Sequence, residues 1–162
     1  MSTVQGLKQF KAVITDWQRS IECSNQENLE SNRKAEVYMT LANTLNGIPY
    51  SPSDSLVGEC WISDDLKEYE KELNELKVSS CALSSGRYDL LYKNDSRLFV
   101  FIRSMFSKRA LIILNFSDDV VPFETKAICM PMRLKYTFGN YEKSIGEDHN
   151  NIRPYEARIY MN

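Results

Sequence analysis

The spacing of apolar residues changes character once along this chain. Before about residue 84 they recur at three- and four-residue steps, and from about Arg87 they alternate or run together. The first pattern is that of amphipathic helices and the second that of strands. Leu7, Phe10, Val13, Ile14, Trp17 and Ile21 make one apolar stripe and predict a first helix. Residues 24–32 are polar and read as a loop. A second helix is expected over 33–45, stopped by Asn46-Gly47, because glycine accepts the left-handed conformation that ends helices. Tyr38, Leu41, Ala42 and Leu45 share one of its faces. Val37 and Met39 add apolar surface elsewhere, so this helix needs cover on more than one side.

Ile48 to Cys60 carries Pro49, Pro52, three serines and Gly58, and is expected to be irregular. Ser63-Asp64-Asp65 then opens a third helix. Ser63 can accept a bond from the first-turn amides, and the two acidic residues suit the positive end of the helix dipole. Leu66, Tyr69, Leu73 and Leu76 form a narrow stripe on this charged helix, too short to argue for a coiled coil.

Tyr88, Leu90 and Tyr92 alternate with Arg87, Asp89 and Lys93, and Lys93-Asn94-Asp95-Ser96 signals a turn. Leu98 to Ile102 and Ala110 to Phe116 are apolar on both faces, as strands between two layers are. Asp118-Asp119 and Gly139-Asn140 mark further turns. Met132, Leu134 and Tyr136 alternate with Arg133 and Lys135, which predicts a strand with one wet face. Tyr155, Ala157 and Ile159 form the inner face of a last strand, with Pro154 at its start, where no ladder donor is needed. About three helices followed by five to seven short strands indicate an α+β chain with a sandwich at its C-terminal end.

Composition changes this picture little. The chain has 162 residues, 43% hydrophobic and 26% charged, as globular proteins have. A net charge of −2 gives no electrostatic case for nucleic acid or an anionic membrane. No apolar run is long enough to span a bilayer, and the first residues do not read as a secretory signal, so a cytoplasmic setting is expected. Cys23, Cys60, Cys81 and Cys129 form no CxxC pair and are expected as free thiols, Cys81 and Cys129 buried. No metal or cofactor is expected; His149, beside Glu147 and Asp148, reads as a surface loop. Asn94-Asp95-Ser96 and Asn115-Phe116-Ser117 match the glycosylation pattern but read as turn and strand-end residues, Asn115 tying its side chain to nearby backbone. Tyr88, Tyr92, Phe99, Phe101 and Tyr136 could stack on a sugar, although aromatics at such positions usually pair within a core.

Four segments carry a resemblance. They are Leu66-Lys67-Glu68-Tyr69 with Leu76 and Cys81-Ala82-Leu83, then Leu114-Asn115-Phe116-Ser117, Phe138-Gly139-Asn140-Tyr141 and Arg153-Pro154-Tyr155-Glu156-Ala157-Arg158-Ile159-Tyr160, in that order along 64–162. Together they resemble the C-terminal region of glycoside hydrolase family 13 α-glucosidases, the maltase and oligo-1,6-glucosidase group. The resemblance implies an α+β fold: residues 1–84 a helical remnant of barrel units seven and eight with a linking helix, and 85–162 an antiparallel β-sandwich. In the family the chemistry sits in a (β/α)8 barrel, which typically takes about 250 residues.

The resemblance weakens toward the active site. Where the family has Asn-His-Asp at the end of barrel strand seven, this chain has Asn25-Gln26-Glu27. Glu27 is the degenerate position of the transition-state stabiliser, one methylene longer, and Gln26 replaces the family histidine. Barrel strand eight corresponds to 45–58, where Leu45, Gly47, Pro49 and Gly58 survive but Pro52-Ser53 and Ser55-Leu56 replace the tyrosine pair and the acidic pair. The strands bearing the nucleophile and the acid/base are not found. Retaining hydrolysis needs two carboxyl groups about 5–5.5 Å apart. The expectation is therefore a truncated, non-catalytic α-glucosidase-like protein with no confident catalytic residue. Its expected partners are itself or a full-length α-glucosidase, through apolar surface around Trp17, Tyr38, Leu41 and Leu45, with weak α-glucoside binding possible. The alternatives are a carbohydrate-binding or regulatory module docked on such an enzyme, and an interaction subunit like the heavy chains of amino-acid transporters.

Overall fold

The computed structural model describes residues 29–45, 63–92, 95–142 and 150–162. Helices come first: α1 (Leu29–Thr44), α2 (Asp64–Ser79) and the short α3 (Cys81–Ser85). Strands β1 (Arg87–Tyr92), β2 (Leu98–Met105), β3 (Lys108–Asn115) and β4 (Val121–Pro122) precede helix α4 (Thr125–Met132). Strands β5 (Lys135–Gly139), β6 (Asn151–Ile152) and β7 (Ala157–Met161) complete the chain. A five-stranded antiparallel sheet has the order β1-β2-β3-β7-β5, and β4 pairs with β6 in a second, two-stranded sheet. This is the expected α+β arrangement. The second layer of the sandwich is a ribbon thickened by α4.

Both faces of the sheet are dry at its central strands, because β2 and β3 are apolar at consecutive positions. Phe101, Ala110, Ile112, Leu114, Ala157 and Ile159 face α1, α2 and α3 in one core. Val100, Leu111, Ile113 and Tyr160 face the other way, against Val121, Phe123, Cys129, Leu134 and Ile152. The register explains the split: Phe101 lies opposite Ile112 and Val100 opposite Ile113, so neighbours along a strand belong to different cores.

α1 is buried nearly all round. Val37, Tyr38, Met39, Leu41 and Leu45 all lie within the first core. The need for cover on several sides is thus met within the chain, and Tyr38, Leu41 and Leu45 present no apolar patch to solvent; Trp17 lies outside the described residues. Leu29–Asn32, expected as loop, begin α1 instead. α1 joins α2 through a buried hydrogen bond of 2.7 Å between the Thr40 and Tyr69 hydroxyls. At its C-terminal end the buried Arg103 of β2 donates from Nη1 to the Thr44 carbonyl at 2.9 Å, a favourable cation at the negative end of the helix.

α2 follows its sequence closely. Ser63 caps it by accepting from the Leu66 amide at 3.3 Å, Tyr69 and Leu73 are buried, and Leu66 and Leu76 pack beside them. α3 is capped in the same way by Ser80 and buries Ala82 and Leu83 completely. Cys81 is exposed, contrary to expectation, because it opens α3 on the solvent side. Cys129 is free and buried, and burial pushes its thiol up to about 11.

Two strand expectations need correcting, and one strand carries a bulge that its sequence does not announce. Met132 ends a helix, not a strand: α4 forms despite Pro131 and stops where Arg133 takes a left-handed conformation (φ 53°). Its Leu134 amide turns back to the Cys129 carbonyl, a helix-ending pattern. In β5 the register slips between Tyr136, opposite Tyr160, and Phe138, opposite Ile159. This bulge sends two residues that simple alternation would place together to opposite cores. Lastly, β7 begins at Ala157, so Pro154 and Tyr155 form a turn ahead of it, with Tyr155 at φ 48°.

Leu73 is fully buried at the centre of the α2 contact. Leu73→Ala is expected to cost about 3 kcal/mol in urea unfolding, against under about 0.5 kcal/mol for Val78→Ala on the exposed side of the same helix. Equal losses for the two variants would contradict this packing.

Candidate functional site

The chemistry-bearing residues of the described chain gather where β3 and β7 meet the turns before β6 and β7. Three side chains organise them. Asn115, at the end of β3, is fully buried. Its amide nitrogen donates to the carbonyls of Asp119 at 2.8 Å and Arg153 at 2.9 Å, and its oxygen accepts from the Ser117 amide at 3.0 Å and hydroxyl at 2.7 Å. A side chain committed in this way joins three segments and is shielded from modification.

Glu156 comes next. Burial alone would push its carboxyl up, but hydrogen bonds from Arg158 and Arg153 outweigh that and hold it below its ordinary value. Arg158 reaches Oε1 from Nε at 2.8 Å and Oε2 from Nη2 at 2.9 Å. Arg153 adds its Nη2 to Oε1 at 2.8 Å and its backbone amide to Oε2 at 2.6 Å. Glu156 and Arg158 are both about 2% exposed or less. Such a carboxylate is fully claimed, and it is a poor general acid because its proton is lost too readily.

Asn140, just past β5, is the third. It donates to the Tyr155 carbonyl at 2.8 Å and accepts from the Ala157 amide at 2.8 Å, holding the left-handed Tyr155 turn from both sides. Tyr141 donates its hydroxyl to the Pro154 carbonyl at 2.8 Å. Gly139 leads into this corner, and a Cβ there would press on the Ala157 carbonyl and the Tyr136 hydroxyl. No larger residue fits.

α1 brings charge to the same corner. The Arg33 guanidinium lies 3.4 Å from the Tyr141 ring centroid and that of Arg153 4.0 Å from it. Lys34 pairs with Glu30 at 2.6 Å and lies 4.7 Å from the Tyr155 ring centroid. Glu36 is pushed up to about 7, chiefly by burial, with opposing help from Asn140 and Arg33; its Oε2 is buried without a hydrogen bond.

Of the residues singled out in the sequence, Gln26, Glu27, His149 and Asn94 lie outside the described residues. The aromatic set does not form one platform. Phe101 is fully buried, Tyr88 and Phe99 pack on the helix-facing core, and Tyr136 belongs to the opposite core, edge-on to Tyr160 at 5.6 Å between centroids. The reading as core holds for these four rings; the Tyr92 side chain lies outside those described. Sequence reasoning missed the Glu156–Arg158 pair. Its only signal was two opposite charges two residues apart, on the side of the last strand opposite Ala157 and Ile159. Among the described residues no group of three His, Cys, Asp or Glu side chains could hold a metal ion.

No protein-family profile matches the chain. It is 31% identical over 98 residues to a probable oligo-1,6-glucosidase 2 of Bacillus subtilis, covering 60% of this chain and 18% of that protein. It is 30% identical over 125 residues to an oligo-1,6-glucosidase of Heyndrickxia coagulans, covering 74% and 21%. The chain carries a partial glycoside hydrolase family 13 region. It spans about a fifth of the length of these relatives. An isomaltulose synthase from Klebsiella sp. LX3 superimposes with a TM-score of 0.50 at 19% identity, over 59% of this chain and 17% of that one, which is a likeness of fold. No helix among the described residues is long and apolar enough to cross a membrane.

Every node of this α-glucosidase-like region is spent on holding backbone together, and two predictions follow from its charges. Glu156→Gln leaves Arg158 buried without a full counter-charge and is expected to cost about 3 kcal/mol or more, read by chemical denaturation at pH 7. Glu36 titrates in the opposite sense to Glu156. Its folded value, about 7, lies above its unfolded value near 4.5, so its contribution is complete below pH 4.5 and is lost as pH rises through 7. Glu36→Gln is expected to remove a pH-dependent loss of about 2 kcal/mol between pH 5 and 8; an unchanged pH profile would contradict the buried placement. Glu156, being depressed, contributes stability above the ordinary carboxylate range that is lost as pH falls below it.

Proposed function

We propose that this chain is a non-catalytic, α-glucosidase-like protein, a truncated relative in which the family 13 C-terminal region persists as a structural module. One observation carries the reading: Glu156, a carboxylate inside a family-like segment, is saturated by Arg153 and Arg158. Glycoside hydrolysis asks for one carboxyl group held as an acid and a second as nucleophile or base, both open to the sugar. Glu156 is closed to solvent and held ionised. The half-buried Glu36 sits on α1 beside Asn140 and Arg33 and serves the helix–sheet joint. The sequence at Gln26-Glu27 supports the same reading, because a carboxylate displaced by about 1 Å loses on the order of 10²-fold in a positioned site. A cytoplasmic setting belongs to this proposal.

The test is direct. Purified chain incubated with 4-nitrophenyl α-glucoside, and separately with isomaltose, is expected to release no product above a buffer blank. Turnover that disappears in Glu27→Gln would overturn the proposal.

A further inference from the structure

We propose that the tip of the β2–β3 hairpin, Phe106 with the exposed cations at the same end of the sheet, is a docking surface for an anionic lipid bilayer. Met105 pairs with Lys108, so Phe106 and Ser107 alone make the turn. Phe106 takes a left-handed conformation, φ 54°. A two-residue hairpin turn with that conformation at its first position ordinarily has glycine there, and a bulky residue is an outlier. No burial offsets this, because Phe106 is 91% exposed, the most exposed large hydrophobic among the described residues. The turn is nevertheless held in place. Asn162 donates from Nδ2 to the Ser107 carbonyl at 3.1 Å, and its Oδ1 accepts from the Arg109 amide at 2.8 Å.

Cations stand beside the tip. Arg87 lies opposite Ser104, and Ser104 opposite Arg109, so the two arginines share one face of the sheet with a single strand between them. With strands about 4.8 Å apart, their Cα atoms lie about 10 Å from each other. Lys108 follows the turn directly. Lys135 stands at the same end, because it and Ala110 both pair with Met161. All four are exposed, and among the described residues none has an ion pair. Asp89, two residues along β1 on the Arg87 face, is the acidic side chain that the register brings nearest. The whole-chain charge of −2 does not cancel this surface, because a partner meets the local field within about 10 Å. Shape then selects the partner. A peptide needs a groove or a sheet edge, and a two-residue turn offers neither. A protruding apolar ring with cations beside it suits a bilayer: the ring enters the headgroup boundary and the cations meet anionic headgroups. One ring and a few charges give reversible, salt-sensitive binding.

The experiment sediments the full chain with vesicles of phosphatidylcholine, with and without phosphatidylserine. Binding stronger by about fivefold or more to the phosphatidylserine vesicles is expected, falling as salt is raised from about 0.1 M to about 1 M. Phe106→Gly suits the left-handed turn, so its thermal midpoint is expected to stay or rise, while vesicle binding falls about threefold or more. Lys108→Gln combined with Arg109→Gln is expected to reduce the preference for phosphatidylserine. Val78→Ser, at an exposed apolar position of α2, is expected to leave binding unchanged. No binding to phosphatidylserine vesicles, or full binding by Phe106→Gly, overturns the proposal. Equal retention by soluble polyglutamate would assign the cations to an acidic chain and overturns it as well.

Discussion

The structure depends on one buried carboxylate. Glu156 sits between Arg153 and Arg158, at the point where the β6–β7 turn enters the central sheet. Removing Glu156 or Arg158 leaves the other charged in a dry site, which costs several kcal/mol, whereas the complete set is held in register by both oxygens and five donors. Once Arg153 is fixed, its carbonyl accepts from Asn115, and the end of β3 is tied to the same turn. Once Ala157 is fixed, Asn140 can grip it and the Tyr155 carbonyl, which ties down the end of β5. Three separate strand ends are thus referred to a single ionic centre.

This dependence explains why the family likeness gathers in the segments it does. Leu-Asn-Phe-Ser, Phe-Gly-Asn-Tyr and Arg-Pro-Tyr-Glu-Ala-Arg are far apart in the chain, but Asn115, Asn140 and Glu156 hold adjacent turns. Asn115 and Asn140 aim their polar atoms chiefly at backbone, and Glu156 aims its own at Arg153 and Arg158. Gly139 belongs to the same set for a steric reason, because the Ala157 carbonyl occupies the space a side chain would take. Polar nodes that support one another in this way are costly to lose singly, since losing one strands the others.

Much of this was legible in sequence. Ser63 announced α2, the two-faced strands Leu98 to Ile102 and Ala110 to Phe116 announced a sheet covered on both sides, and the crowded apolar surface around Val37 and Met39 announced a helix enclosed by others. The misreadings have local causes. Pro131 and the alternation from Met132 to Tyr136 hid α4, because a short helix with a proline looks like an edge strand. The bulge between Tyr136 and Phe138 depends on pairing with β7, which no single strand reveals. The ionic centre was hidden because a Glu and an Arg two residues apart read as the wet side of a strand. Only the β4–β6 ribbon, which comes from distant parts of the chain, makes that side dry.

The most direct test of this account is a double-mutant cycle on the unfolding free energy, using Glu156→Gln, Arg158→Met and the two together. The account predicts a coupling of about 2 kcal/mol or more, because each single variant strands its partner and the double variant strands neither. Losses that simply add, with coupling under about 0.5 kcal/mol, would show that the pair is incidental and that the sheet is held by its hydrophobic layers alone.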